Sequence, residues 1–305
     1  MSDIADTYIK KLEKDLKNLK EQVASQSSMF EMTSLYLKKT QEDLKVSEQQ
    51  LFHANKDLVD SINYAKYIQD AFIVQEDSLR KIIPQSFIFQ RPKDIVSGDF
   101  AWAFKNDTDI YFAIGDCTGH GVPGAMLSVF VISMLNQAIN TKNTHTPASI
   151  IIDLDELVQK YLTLYNQEFK DSAELAILKY DTKNQKLLYS AAKRPLVHIH
   201  NGITTIYKGA NYILGNTDRR DEIVQDREID IQKNDMLYLF SDGFTDQFGG
   251  DKDKKFTIKN LLTLLEQTAK LPIEQQHDKM ADEFMKWKGA NNQTDDILLA
   301  GIRII

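Results

Sequence analysis

The chain has a single cysteine, Cys117, among its 305 residues, so an internal disulfide is excluded. Long apolar runs are also missing: residues 126–135 form one of the longest, whereas a membrane span needs about 20 residues. The first residues contain no apolar segment of the secretory type. We therefore expect a protein of the reducing cytoplasm with no membrane span.

An excess of positive charge is absent as well, since 37 Lys and Arg stand against 44 Asp and Glu, for a net charge of -7. Nucleic acids are bound through basic surfaces, so this balance argues against a nucleic-acid partner. The six histidines are scattered, and the sequence shows no His and Cys spacing typical of a zinc site. A metal, if one is bound, would therefore be held by carboxylates.

Glycine and proline are absent from residues 1–83, where Lys, Glu, Gln, Asp and Leu dominate. Apolar residues recur there every seven positions, and we call this series the apolar seam: Ile9, Leu16, Val23, Phe30, Leu37, Leu44, Leu51, Leu58, Ala65 and Phe72. A second series, three residues further on, is apolar near its ends and small or polar in its middle. The spacing predicts a coiled-coil helix that forms a homodimer and regulates the domain that follows.

The sequence leaves two questions about this helix: whether it is continuous, and whether it transmits a signal. A turn near Ser27 would instead give a helical hairpin packed on its own domain. The polar middle of the second series is typical of a coiled coil that shifts to transmit a signal, and equally of a tolerant spacer.

Pro84 ends the helical pattern, and apolar residues then alternate with polar ones as in β-strands. Strands outnumber helices, most connections are short, and the Asn201-Gly202 pair marks a tight hairpin. Helices are predicted in two pairs, at about 123–139 with 147–169 and at about 257–269 with 273–288. We predict an α+β domain over 84–305, in which two antiparallel sheets pack together with the helix pairs outside.

Apolar strands run into an aspartate beside a turn residue at four places, Asp99, Asp116, Asp242 and Asp295. Any one of them alone is typical of a turn. At the ends of neighbouring strands their carboxylates would converge, and no obvious set of Arg or Lys stands beside them to neutralise the charge. Clusters of oxygen ligands suit hard cations such as Mg²⁺ or Mn²⁺.

The strings around these residues are RPKDIVSGDF, GDCTGHGVPGAM, LYLFSDGFTDQFGG and QTDDILLAGIRI. In this order and spacing they resemble the SpoIIE-type branch of the PPM phosphatases, the bacterial relatives of protein phosphatase 2C, over roughly residues 84–305. The resemblance implies an αββα sandwich with two divalent cations, Mn²⁺ or Mg²⁺, at one edge. A water activated between two such cations would hydrolyse a phosphoester without a phosphoenzyme.

The resemblance also implies roles for single residues. The metal ligands would be Asp99, Asp116, the backbone carbonyl of Cys117, Asp242 and Asp295, with Asp116 and Asp242 central to catalysis. Asp296 would have a supporting or structural role. His120 is a candidate catalytic acid, and a hydrogen bond that orients its turn is the favoured alternative.

Basic residues near these strings are candidates for binding the substrate's phosphate. Arg91 and Lys93 lie upstream of Asp99, and Lys193 and Arg194 stand where relatives often carry uncharged or histidine residues before a proline. For the Lys193-Arg194 pair a solvated loop is the favoured interpretation, because exposed charge pairs rarely have a specific role.

Other motifs receive a weaker interpretation. Residues 119–124 satisfy GxGxxG, but Asp116 would direct a negative charge at a dinucleotide's pyrophosphate, so this reading is rejected. Asp171 or Glu174 would assist a third, weaker metal. Residues 246–255, with their glycines and charges, are predicted to form a mobile flap beside the site.

These observations predict a cytoplasmic, Mn²⁺- or Mg²⁺-dependent serine/threonine phosphoprotein phosphatase. By resemblance, its substrate is a small phosphorylated regulatory protein, such as an anti-sigma-factor antagonist in a partner-switching pathway, and an upstream regulator controls it. The alternatives are a phosphatase-like binding module without turnover and a scaffold in which the coiled coil is the functional part. The presence of all the expected aspartates argues against the binding module.

Overall fold

A computed structural model of the chain describes residues 2–141, 145–165, 172–215 and 224–305. The chain forms two compact units, Met1–Ser61 and Ile62–Ile305. Packing thus assigns residues 62–83 to the larger unit, and the independent folding of 84–305 stays a prediction. Asp171 and the end of the helix predicted to reach residue 169 lie outside the described residues.

The smaller unit is helical throughout its described length. Helix α1 (Ser2–Phe72) continues through Ser27, so the hairpin alternative is wrong. Within the chain the apolar seam faces solvent: Leu37 is 61% exposed and Leu44 is 58% exposed. An apolar stripe of this length on one helix is typical of a helix that has a partner, and the coiled coil itself stays a prediction.

The predicted helix is interrupted near its end. After α1 the chain leaves the helical conformation at Ile73–Gln75, with Ile73 buried and the Val74 N–H donated to the Ala101 carbonyl at 3.0 Å. The short helix α2 (Glu76–Ile82) follows. The lack of glycine and proline did not reveal this break, because burial of Ile73 and the backbone hydrogen bond of Val74 produce it.

The rest of the larger unit is built mainly from short strands. In chain order the described strands are β1 (Ser86–Arg91), β2 (Asp99–Lys105), β3 (Asp109–Cys117), β4 (Ala173–Asp181), β5 (Lys186–Ala192), β6 (Leu196–His200), β7 (Ile203–Tyr207), β8 (Arg227–Ile229), β9 (Met236–Phe240), β10 (Phe248–Gly249), β11 (Lys254–Lys255) and β12 (Ile297–Arg303). The described helices are α3 (Gly121–Thr141), α4 (Pro147–Tyr165), α5 (Gly243–Asp246), α6 (Thr257–Thr268) and α7 (Ile273–Lys288).

Two antiparallel sheets pack face to face. Sheet A has the order β1-β12-β9-β6-β7 and sheet B the order β2-β3-β4-β5-β8. One buried cluster lies between them, with Ala101 and Ile114 from sheet B and Leu237 and Leu298 from sheet A. Apolar side chains on both inner faces remove a continuous surface from water, which is the main stabilising contribution in such a sandwich.

The helix pairs cover the outer faces of the sheets. Helices α3 and α4 enclose a second cluster with sheet B, and α6 and α7 enclose a third with sheet A. This arrangement confirms the predicted αββα sandwich. The segment Gly121–Asn140 of α3 is the one described helix that is long and apolar enough to cross a membrane, and half of it is buried here within the protein.

The segment predicted as a mobile flap is instead a short hairpin of β10 and β11. The Gly250 N–H is donated to the Trp287 carbonyl at 2.8 Å, and the Trp287 indole donates to the Gln247 carbonyl at 3.0 Å. These contacts attach the hairpin to α7.

The last turns of α1 hold the loop that precedes β2. The buried Gln69 side chain donates to the Ser97 carbonyl at 2.6 Å and to Ser128 Oγ of α3 at 2.9 Å, and it accepts the Ser97 N–H at 3.1 Å. This loop leads directly into Asp99, so the end of α1 positions one of the predicted site residues.

Candidate active site

Carboxylates from neighbouring strands of sheet B stand side by side. Asp99 of β2 pairs in register with Asp116 of β3, and Asp116 pairs with Glu174 of β4. We call these residues the acid row. Like charges directly opposite one another in a sheet are destabilising, so the row needs compensating positive charge.

Asp99 lies deepest in the row, and sheet A supports it. It is buried, and its Oδ2 accepts the Ser241 hydroxyl at 2.6 Å, which joins the end of β9 to the start of β2. Burial, followed by the nearby charge of Asp116, raises the pKa of Asp99 well above its usual range. A carboxyl group in this state is stabilised by any cation that reaches it.

Asp242 and Asp295 approach the row from sheet A. Asp242 lies two residues after the end of β9, Asp295 lies two residues before β12, and their charges raise the pKa of Asp116. The close approach of these strand ends requires Gly243, because a Cβ there would stand 1.8 Å from the Asp296 carbonyl oxygen. The four predicted aspartates therefore come together at one edge of the sandwich.

Asp296 has the supporting role that the sequence predicted. Its carboxylate is buried and accepts the backbone N–H groups of Lys93 and Gly98, each at 2.7 Å. A Cβ on Gly98 would stand 3.0 Å from the Cys117 carbonyl oxygen, so the carbonyl expected to bind metal lies beside the Asp99 loop. Asp296 thus fixes the loop that delivers Asp99.

Arg194 lies among these carboxylates. Its Nη2 lies 2.7 Å from Asp116 Oδ2, 2.5 Å from Glu174 Oε2 and 3.3 Å from Asp242 Oδ2. The residue is 7% exposed, so the solvated-loop interpretation is wrong for Arg194. Lys193, with φ at 67°, turns the chain between β5 and β6 and pairs with Glu174 at 3.2 Å.

The charge of the cluster remains unbalanced despite Arg194. Burial raises the pKa of Asp116 to about 7; Arg194 opposes this shift, while Asp242, Glu174 and Asp295 add to it. The cluster contains five carboxyl groups, those of the acid row together with Asp242 and Asp295. Among the described residues, the cations that pair with it are Lys193 and Arg194, so negative charge is in excess. The donor set is all oxygen, and its surplus negative charge fits divalent cations of the hard class.

Cys117 contributes no reactive thiol here. Its side chain is buried in the cluster beneath α3 and α4, and burial raises the pKa of the thiol well above its usual range. A thiol nucleophile needs the opposite shift, so attack by a cysteine is excluded.

The other predicted residues lie around the edge of the cluster. His120 Nδ1 lies 2.8 Å from Asp94 Oδ2, a pair that matches the structural alternative, and its role as an acid stays a prediction. Arg91 donates to Gln293 Oε1 at 2.9 Å, near the start of β12, and the backbone N–H of Lys93 is donated to Asp296 Oδ1 at 2.7 Å. Their role in phosphate binding also stays a prediction.

Two residues of the cluster are only weakly marked in the sequence. Glu174 lies in the acid row, and its role at a third metal stays a prediction, whereas Arg194 lies among the carboxylates and not in a solvated loop. The strand meander contained the missing signal: in antiparallel succession the end of β3, the start of β4 and the end of β5 share one edge.

Replacing Arg194 with alanine removes the guanidinium from three carboxylates and leaves them uncompensated. We expect the free energy of unfolding of the metal-free chain to fall by roughly 3–5 kcal/mol near neutral pH. The matched Lys193→Ala variant removes a more exposed cation and should cost at most ~1 kcal/mol. Denaturation in urea with EDTA measures both, and equal losses in the two variants would contradict the placement of Arg194.

The raised pKa of Asp116 predicts a pH dependence of stability. Between about pH 4 and pH 7 the folded state retains a proton that the unfolded carboxyl releases, so the metal-free chain loses stability as the pH rises through this window. The change should amount to ~2–4 kcal/mol. Asp99 adds a slope of the same sign, so the informative quantity is the difference between the parent and Asp116→Asn. An Asp116→Asn slope as steep as that of the parent would refute the assignment.

Solved structures with this fold include several phosphatase domains. The SiaA-PP2C domain of Pseudomonas aeruginosa superposes with a TM-score of 0.76 and 26% identity, over 83% of this chain and 99% of that chain. The PP2C phosphatase domain of SpoIIE from Bacillus subtilis, with a fragment of its regulatory domain, gives 0.57 and 15%, over 72% and 61%. RsbX in complex with magnesium gives 0.51 and 13%, over 71% and 92%.

The sequence comparison is consistent with the fold. No curated protein matches the chain. Residues 106–305 match the family described as stage II sporulation protein E, SpoIIE. Because this match covers more than half of the chain and includes the ends of β3, β4, β9 and β12, the protein belongs to the SpoIIE family of PP2C-type phosphatases.

Proposed function

We propose that the chain is a metal-dependent phosphoprotein phosphatase that hydrolyses phosphoserine or phosphothreonine on another protein. The observation that carries the proposal is the convergence of Asp99, Asp116, Asp242 and Asp295 on one edge with surplus negative charge. A site built this way holds cations before it holds an anionic substrate.

Two divalent cations, Mn²⁺ or Mg²⁺, would be held by these aspartates and the Cys117 carbonyl. When bound they supply an activated water and neutralise charge on the phosphoryl oxygens. RsbX, which shares the fold, is described in complex with magnesium, and that supports the choice of a hard cation. Asp296 and Gln69 would keep the Asp99 loop in place while the ions exchange.

Arg194 is the residue of this chain best placed to hold the phosphoryl group. A guanidinium donates several N–H bonds in one plane and matches phosphate oxygens as well as it matches carboxylates. Once cations neutralise the aspartates, its contacts with Asp116 and Asp242 lose their electrostatic advantage, and the side chain is free to bind the substrate. Arg91, Lys93 and Lys193 lie around the same edge as further candidates.

The proposed substrate is a small phosphorylated regulatory protein, such as an anti-sigma-factor antagonist in a partner-switching pathway, under an upstream regulator. Asp242 is half-exposed, so a phosphoserine carried by another protein can approach the cluster from its side. The SpoIIE family membership favours this class of substrate over a free metabolite.

The purified chain with Mn²⁺ or Mg²⁺ should release phosphate from a phosphoserine peptide, and EDTA should abolish the release. Asp116→Asn and Asp242→Asn should each lose more than ~100-fold in kcat/KM, because each removes a ligand at the centre of the site. Asp107→Asn, an exposed residue between β2 and β3, is the matched control.

A parent enzyme without metal-dependent release, indistinguishable from Asp116→Asn, would favour the alternative of a binding module without turnover. Phosphoproteomics of cells that carry Asp242→Asn would identify the substrate as the phosphoprotein that accumulates.

We also propose that the chain is a homodimer through α1 and that this helix regulates the site. The exposed apolar seam supports the dimer, and the hydrogen bonds of Gln69 to Ser97 give the end of the helix a route to the Asp99 loop. A shift or rotation of α1 at Gln69 would move the loop that precedes β2 and so change the positions of the metal ligands.

Light scattering on the full chain should give twice the 35.0 kDa mass of one copy. Joint replacement of Leu37 and Leu44 with aspartate should give monomers, because charges in a coiled-coil seam are strongly unfavourable. Lys38→Asp changes charge away from the seam and should remain dimeric. A monomeric parent, or a dimer that survives the double replacement, would exclude this interface.

A further inference from the structure

Strand β6 carries two histidines, His198 and His200, on one face. Alternate residues of a strand point the same way, so the spacing of two brings both rings to the inner side of sheet A. Asp235, the residue before β9, lies next to them, because β6 and β9 are paired neighbours. In the sequence these histidines look scattered, because their spacing does not show which face of a strand they share.

The three side chains are in direct contact. His198 Nε2 lies 2.8 Å from Asp235 Oδ2, and His200 Nδ1 lies 2.7 Å from Asp235 Oδ1. Asp235 is 3% exposed, and its Oδ2 also accepts the Gln232 N–H at 2.8 Å. Burial alone would raise the pKa of Asp235, but these hydrogen bonds lower it, so the group is a carboxylate.

In the part of the chain that the structure describes, the ionic partners of this buried carboxylate are the two imidazoles. Among the described residues, no Lys or Arg forms an ion pair with Asp235. Two imidazole nitrogens and one carboxylate oxygen form a mixed nitrogen and oxygen set, which suits Zn²⁺, Co²⁺ or Ni²⁺ and differs from the all-oxygen set of the active site.

The spacing of the donor atoms is close to that of a coordination site. All the ligand atoms lie within 4.8 Å of one another. Tetrahedral ligands about 2.0–2.1 Å from zinc are separated from each other by roughly 3.3 Å. The hydrogen-bonded pairs would therefore move apart by about half an ångström to admit an ion, a change within the reach of side-chain rotation.

We propose that His198, His200 and Asp235 form a binding site for a transition-metal ion of the Zn²⁺ class, separate from the active site. A water completes the coordination on the side of His200, whose side chain is 33% exposed. Neutral imidazoles bind by changing tautomer: the ring proton of His198 moves from Nε2 to Nδ1, and that of His200 moves from Nδ1 to Nε2, where the Asn201 amide turns its oxygen to accept it.

The site lies at the far end of strands that lead to the active site. Arg194 precedes β6 and His200 ends it, while Asp235 precedes β9 and Asp242 follows it. At about 3.3 Å per residue, the two sites are ~20–23 Å apart along the strands. An ion would join β6 to the loop before β9 and so fix the alignment of the strands that position Arg194 and Asp242.

Metal binding to the full chain, stripped with EDTA and dialysed, tests the proposal. Titration with Co²⁺ should give the visible absorption of a nitrogen-ligated tetrahedral ion at one equivalent, and Zn²⁺ should displace it. His200→Asn keeps an N–H donor near the position of Nδ1 but removes the ligand, so it should fold normally and weaken binding at least 100-fold.

Two control variants separate this site from others. His277→Ala removes a partly exposed histidine that also lies beside acidic groups, and Asp116→Asn disables the active-site cluster; both should keep the nitrogen-ligated Co²⁺ spectrum of the parent. At Zn²⁺ 100-fold above Kd, the rise in Tm should be larger by ~5–10 °C in the parent than in His200→Asn, since both keep the active-site cluster.

The proposal is overturned if the parent shows no nitrogen-ligated Co²⁺ spectrum. It is equally overturned if His200→Asn binds as tightly as the parent, or if Asp116→Asn removes the signal. Asp235→Asn provides a second ligand variant, and loss of binding in both ligand variants with retention in both controls supports the site. None of these outcomes depends on phosphatase activity.

Discussion

Electrostatic repulsion among carboxylates is the constraint around which this domain is built. The register of β2, β3 and β4 forces Asp99, Asp116 and Glu174 into one row, and the strand ends of sheet A add Asp242 and Asp295. A folded chain tolerates such crowding only when protons, a guanidinium or metal ions take up the charge. Arg194 and the raised pKa values of Asp99 and Asp116 are the responses available without metal.

The sequence revealed the acids of this cluster better than its base. An aspartate at the end of an apolar strand can be recognised in the sequence alone, because the alternation of apolar residues and the adjacent turn residues mark its position. Arg194 is different, since its role depends on Lys193 adopting a left-handed turn and on β5 ending at the same edge as β3. The link from Ser241 to Asp99 joins residues of different sheets, and no local pattern encodes it. The strand-face pairing of His198 with His200 was readable, but its partner Asp235 is known only from the pairing of β6 with β9.

The helix boundaries show the same division between local and long-range causes. The sequence of residues 1–83 favours helix throughout, and α1 does extend through Ser27 as one element. It ends at Phe72 because Ile73 enters the core and Val74 bonds to β2. Gln69, an ordinary polar residue in a polar helix, is buried because its amide pairs with both the backbone N–H and the backbone carbonyl of Ser97. Tertiary contacts therefore decide which turns of a uniform helix belong to the catalytic domain.

The burial of the single thiol has a consequence for the conditions under which this enzyme would operate. Cys117 is the direct neighbour of Asp116, yet it is 2% exposed and strongly disfavoured as a thiolate. Peroxide and alkylating reagents attack thiolates that they can reach, and phosphatases that depend on a nucleophilic cysteine are inactivated by them. A phosphatase whose only thiol is buried in this way would remain active during oxidative stress, when phosphatases that depend on a reactive thiol are inactivated.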